Sequence, residues 1–95
     1  MTKTEIINYL KNHFQEFKSQ YDVEEIGLFG SYARDEATPK SDVDIFIKMK
    51  PSLLDMVAIK EQIEEDLHVK VDLIREHKNI KPLFLETIKK DLIYA

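Results

Sequence analysis

Residues 28–47 read LFGSYARDEATPKSDVDIFI, and the rest of the chain is organised around them. An apolar run ends at Gly30-Ser31, Thr38-Pro39-Lys40 interrupts the polar stretch that follows, and a second apolar run begins near Ser41. The expected order is a strand, a Gly-Ser turn into a short helix over Ser31 to about Glu36, a polar loop, and a second strand from Ser41 to about Lys48. That second strand carries Asp42 and Asp44. Residues two apart on a strand share a face, roughly 6.6 Å apart along the backbone, so the two carboxylates face one way. Val43, Ile45 and Ile47 face the other way, as a core requires. Aspartate is depleted from strand interiors, and like charges on one face repel unless a cation lies between them. The pair is therefore a candidate metal site.

The Gly30-Ser31 junction offers complementary chemistry. A strand that opens into a helix leaves backbone N–H groups unpaired at the positive end of a dipole, which suits an anion. Glycine lets that backbone approach a phosphate closely, and the Ser31 hydroxyl can donate one more hydrogen bond. Farther on, Asp72 stands alone between the apolar residues Val71 and Leu73 on an expected third strand. Three carboxylates without cysteine or paired histidine form an oxygen-only donor set, which suits Mg²⁺ held jointly by carboxylates and substrate phosphates. Two such ions can clamp the attacking and leaving oxygens of a displacement at phosphorus. Gly-Ser and Asp-x-Asp are each unspecific alone. Their weight comes from falling together, ten residues apart, where this chemistry needs them.

Outward from this stretch, Thr2 and Glu5 have capping-box spacing and start a first helix at Lys3. Its expected apolar stripe is Ile7, Leu10, Phe14, Phe17 and Tyr21. Val23 to Phe29 forms the first strand. Ser52 caps a helix with stripe Met56, Ile59, Ile63 and Leu67, and Glu61, Glu64, Glu65 and Asp66 cover its solvated faces. Val69 to Ile74 is the third strand, and Pro82 opens a last helix with stripe Leu85, Ile88 and Leu92. The tail from Asp91 either finishes that helix or turns into a short extended edge. His13 and His68 read as surface histidines. Helices alternating with short strands give an α/β (α+β) class: a small mixed sheet of three to four strands with helices packed on it.

The 95 residues suit one domain spanning 1–95. A formal charge of −4 argues against a surface that holds a long nucleic acid by its phosphates. No apolar run approaches the ~20 residues that span a bilayer, and the polar start MTKTE is no signal peptide, so a cytoplasmic protein is expected.

Gly30-Ser31 followed by Asp42-x-Asp44, with Asp72 on a later strand, resembles the nucleotidyltransferase signature of the DNA polymerase β superfamily. The string GSYARDEATPKSDVDIFI is most similar to the minimal nucleotidyltransferases, or MNT proteins, over about Val23 to Ile74. The resemblance implies a polymerase β-like fold with ATP as substrate. Gly30 and Ser31 would hold the phosphates, Asp42 and Asp44 would bind Mg²⁺, and Asp72 would complete the site and assist the acceptor hydroxyl. Arg34 is a candidate nucleotide contact, with an ion pair to a nearby acid as its alternative. Small MNT proteins are commonly paired with a helical HEPN toxin and can transfer AMP from ATP to a tyrosine of that toxin, acting as its antitoxin. The absence of any second domain to hold an acceptor fits a protein substrate. Two other readings are transfer to a small molecule such as an aminoglycoside, with a separate helical subunit, and a non-catalytic antitoxin that neutralises its partner by binding. One departure stands out: the family often has glycine after the Ala-Arg pair, where this chain has Asp35.

Overall fold

The computed structural model describes residues 1–95. Helix α1 runs from Lys3 to Tyr21 and begins with a full capping box: the Thr2 hydroxyl accepts from the Glu5 N–H, and the Glu5 carboxylate accepts from the Thr2 N–H. Its fully buried line is Ile6, Leu10 and Phe17, with Ile7, Phe14 and Tyr21 at the margins. Leu10 and Phe17 of the expected stripe are thus fully buried, and Ile6 takes the inward place expected for Ile7. Strand β1, Glu25–Phe29, leads into α2, Gly30–Ala33. The helix expected over Ser31 to Glu36 is a single turn, because Asp35 takes a left-handed backbone with φ 59°.

Strand β2 spans Val43–Lys48, α3 spans Leu53–Leu67 and β3 spans Val71–Arg75. Ser52 caps α3 as its sequence suggests, accepting from the Asp55 N–H at 3.3 Å. Strands β1, β2 and β3 start later than the alternation suggests, and Asp42 therefore precedes its strand. Helix α4, Pro82–Asp91, has proline in its first turn, and the tail resolves as a short strand β4, Ile93–Tyr94.

The sheet order is β3-β2-β1-β4, with β2 and β3 parallel and β1 antiparallel to both of its neighbours. Gly27 is needed where β4 crosses: a Cβ there would press on the Ile93 carbonyl and Leu92. One face carries the main core, in which Ile6, Leu10 and Phe17 of α1 and Ile59 and Ile63 of α3 meet Ile26, Leu28, Val43, Ile45, Ile47 and Val71. The opposite face holds a small second core of Phe29, Phe46 and Ile88, with α4 laid over it. No helix is long and apolar enough to cross a membrane.

Candidate active site

The pairing register brings distant residues to one end of the second face. Phe29 lies opposite Asp44 across the antiparallel pair, and Asp44 lies beside Asp72 across the parallel pair. Gly30 follows Phe29 directly, so the turn into α2 closes over the end of β2. Its φ of 75° is a left-handed conformation that favours glycine. Space demands glycine as well, since a Cβ at Gly30 would overlap the Asp44 carboxylate. Any side chain there would push aside either the turn or the acid.

Asp44 is half-buried, while Asp42 and Asp72 are exposed. Burial first, then the charges of Asp72 and Asp42, push the Asp44 carboxyl above its ordinary value; the nearby Arg34 guanidinium pulls it back down. An acid in this position gains from a cation. The donors are all carboxylate oxygens, which fit Mg²⁺. They do not form a closed cage, because no three His, Cys, Asp or Glu side chains gather tightly enough to hold a metal ion. Mg²⁺ usually takes only one or two carboxylates and completes its shell with water and substrate phosphates, so an open acidic pair is compatible with it.

Gly30 and Ser31 open α2, and no side chain caps that helix, which leaves its first N–H groups without a capping acceptor. Four residues make too short a helix for a large dipole, so anion affinity here rests on the N–H groups themselves. The Ser31 carbonyl accepts from the Glu36 N–H at 2.9 Å and closes the loop behind the turn. Asp35 explains the glycine often found at its position: the backbone is left-handed, and Asp is among the few other residues that enter this region readily. Its carboxylate points to Lys3, Nζ to Oδ2 3.0 Å, and ties the exit of α2 to the start of α1.

Arg34, the last of the sequence-derived candidates, is held by two acids. Its Nη1 donates to Asp91 Oδ2 at 2.6 Å and its Nε to Glu36 Oε2 at 3.2 Å. Asp91 was missed in the sequence, where its one signal is an acid placed at the C-terminal end of a helix, against the dipole. The surface concavities lie elsewhere. One of about 630 Å³ is bounded by Lys18, Glu24, Met49 and Lys50, and one of about 660 Å³ lies along the outer side of α4. The acids and Gly30 sit on an open sheet end.

A family model described as nucleotidyltransferase domain matches residues 10–95. A candidate protein adenylyltransferase of Methanocaldococcus jannaschii is 41% identical over 95 residues, covering 98% of this chain and 97% of its own. The protein adenylyltransferase MntA of Thermococcus cleftensis is 36% identical over 97 residues, covering 100% of this chain and 97% of its own. Among solved structures, the tri-AMPylated HEPN toxin of Shewanella oneidensis in complex with its MNT antitoxin contains a chain that superposes with a TM-score of 0.68 at 15% identity. That match covers 98% of this chain and 71% of the other.

Proposed function

This chain belongs to the nucleotidyltransferase domain family, and we propose that it is a cytoplasmic, Mg²⁺-dependent protein adenylyltransferase, an antitoxin that passes AMP from ATP to a tyrosine of a helical HEPN-type toxin. The observation that carries the reading is the register of β1, β2 and β3, with Asp44 between the Gly30 turn and Asp72. The activities named for the relatives support the acceptor class, and the open sheet end suits an acceptor presented by another protein.

In this reaction the acceptor hydroxyl oxygen forms a bond to the α-phosphorus of ATP, and the bond from that phosphorus to the bridging oxygen of pyrophosphate breaks. Pyrophosphate leaves, and the hydroxyl proton passes to the Asp72 carboxylate, the exposed acid that an incoming group can reach. The N–H groups at Gly30 and Ser31 hold phosphate oxygens, with the Ser31 hydroxyl as a further donor and Arg34 supplying positive charge. Asp42, Asp44 and Asp72 would hold up to two Mg²⁺ ions, whose charge offsets that of the phosphates when bound.

Incubation of the chain with Mg²⁺, ATP labelled at the α-phosphate and a purified HEPN-type partner tests the proposal. Label is expected on a partner tyrosine, absent when that tyrosine is phenylalanine and absent with Asp44→Asn. Label on an aminoglycoside in place of the protein would overturn the acceptor assignment. Neutralisation of the partner that survives Asp44→Asn without any transfer would reduce the chain to a binding antitoxin.

A further inference from the structure

Outside the acids and the Gly30 turn, Arg34 at the end of α2 and Asp91 at the end of α4 link the two helices. Arg34 has a long, exposed side chain at the end of a one-turn helix, and such a side chain is mobile unless something fixes it. Two acids do so, but unequally. Glu36 has 65% of its side chain exposed and lies two residues away, whereas Asp91 has 16% exposed and reaches Arg34 across 57 residues of sequence.

Asp91 is itself held on both sides. It ends α4, whose Ile88 is fully buried against Phe29 and Phe46, and it directly precedes the turn into β4, which pairs with β1. Its charge is unfavourable at a helix C-terminus, and the lysines of that last turn, Lys89 and Lys90, are not its partners. A 2.6 Å charge-assisted bond to Arg34 compensates.

We infer that Asp91 is a positioning residue for nucleotide transfer: it fixes the Arg34 guanidinium beside the Gly30 turn so that the remaining N–H donors meet the phosphates of ATP. The inference rests on the adenylyl-transfer reading above and deepens it. Arg34 uses Nε and one N–H of Nη1 on the two acids, two of the five donors a guanidinium carries, so three remain for an anion. Arg34 is also tied directly to the turn, its backbone N–H donating to the Gly30 carbonyl at 3.1 Å. Pre-ordering such a side chain lowers the entropic cost of binding without a new contact to the ligand. Asp91 touches no substrate, and its effect passes through Arg34 alone.

The test is ATP affinity by calorimetry with Mg²⁺, and transfer kinetics, on wild type, Asp91→Asn, Asp91→Ala, Arg34→Ala and the double variant Arg34→Ala/Asp91→Ala. Asp91→Asn preserves shape and guards against a fold defect in the alanine variant, and thermal unfolding is read on all. Each single Asp91 variant is expected to weaken ATP binding and raise KM about tenfold while kcat changes less than about threefold, the scale of one charge-assisted bond. In the Arg34→Ala background, removal of Asp91 should have no further effect. Unchanged ATP affinity in Asp91→Asn overturns the inference, as does an equal loss with and without Arg34. If wild type itself binds no ATP with Mg²⁺, the adenylyltransferase reading fails and this inference falls with it; wild-type binding with a silent Asp91 leaves the reading and removes only the positioning role.

Discussion

Ile45 and Asp44 are neighbours on β2, yet they serve opposite sides of one sheet. Ile45 enters a core of 15 buried residues, while Asp44 faces a side where three buried residues suffice to seat α4. On the first face Ile26, Leu28, Val43, Ile45, Ile47 and Val71 pack in one core with α1 and α3, and stability comes from burial. On the second, the apolar residues stop at Phe29 and Phe46, and the end of the sheet is left to a turn and three acids. A core that large lets the other face carry repelling charges. The contrast predicts that adjacent substitutions will separate activity from stability.

The sharpest form of that contrast is Asp44→Asn. Transfer should fall by on the order of 10³-fold or more, the scale of losing a preorganised charged group at a reacting phosphate. Asp42→Asn should fall in the same direction. Neither should cost stability. Because the Asp44 carboxyl is held above its ordinary value of 3.8, the folded chain binds that proton more readily than the unfolded chain does. Ionised Asp44 therefore opposes folding as pH rises through its folded value. Asp44→Asn should unfold at an equal or higher temperature than wild type at neutral pH without metal, and this advantage should vanish as pH falls below the ordinary carboxylate range. A lower unfolding temperature at neutral pH would break the comparison. Its partner experiment is Ile45→Ala, one residue along, where a cavity in the main core should cost about 2–5 kcal/mol by urea unfolding. Folded Ile45→Ala protein at low temperature should still transfer AMP.

The two faces were not equally legible. Residues of the main core could be read from periodicity because helix and strand repeats are local: Leu10, Phe17, Ile59, Ile63, Val43, Ile45 and Ile47 all fall on expected stripes. Ile6 takes the place expected for Ile7, which fits the same helical pattern, and Tyr32, Ala33 and Met49 enter the core from outside any expected stripe. Gly30, Ser31, Asp42, Asp44 and Asp72 were named from residue type and spacing. What brings Asp44 beside Asp72, however, is strand register, and register between strands separated by a whole helix is not a local property. The same limit hid Asp91, which meets Arg34 only because α4 folds back over Phe29 and Phe46. Alternation also overran at the start of β2, where Asp42 lies just outside the hydrogen-bonded ladder, and strand ends commonly shift by one or two residues. The single turn of α2 is shorter than its sequence suggests because nothing in the residue types fixes φ at Asp35.

Asp72→Asn gives a smaller expected effect and asks whether the acids of the second face divide their work. Asp72 is exposed at the sheet edge beside a half-buried Asp44, so the two differ in access although they are register partners. Asparagine keeps the shape and removes the basicity. Transfer should drop by on the order of 10²-fold, the usual scale for loss of a general base, while ATP affinity with Mg²⁺ stays near wild type. Unchanged transfer would make Asp72 a surface acid, and lost ATP binding would make it chiefly a metal ligand.

The smallest expected effect belongs to Ser31→Ala, which asks how much of the turn's anion affinity comes from a side chain. The hydroxyl holds no partner within the chain, and the Ser31 carbonyl bond to the Glu36 N–H does not depend on it. Fold and loop closure should therefore survive. The backbone N–H groups at Gly30 and Ser31 remain after the substitution, so most of the phosphate cradle is kept. What is lost is one hydrogen bond to an anion, worth about 1–2 kcal/mol, or roughly a five- to thirtyfold weaker ATP affinity by calorimetry with Mg²⁺. The loss should appear in KM, with kcat little changed, because the contact is made to phosphate in both the ground state and the transition state. A fall in kcat at constant KM would place the hydroxyl against the leaving pyrophosphate as charge develops there. No change in either would turn the Ser31 hydroxyl away from the phosphates and leave the backbone of the Gly30 turn as the anion site.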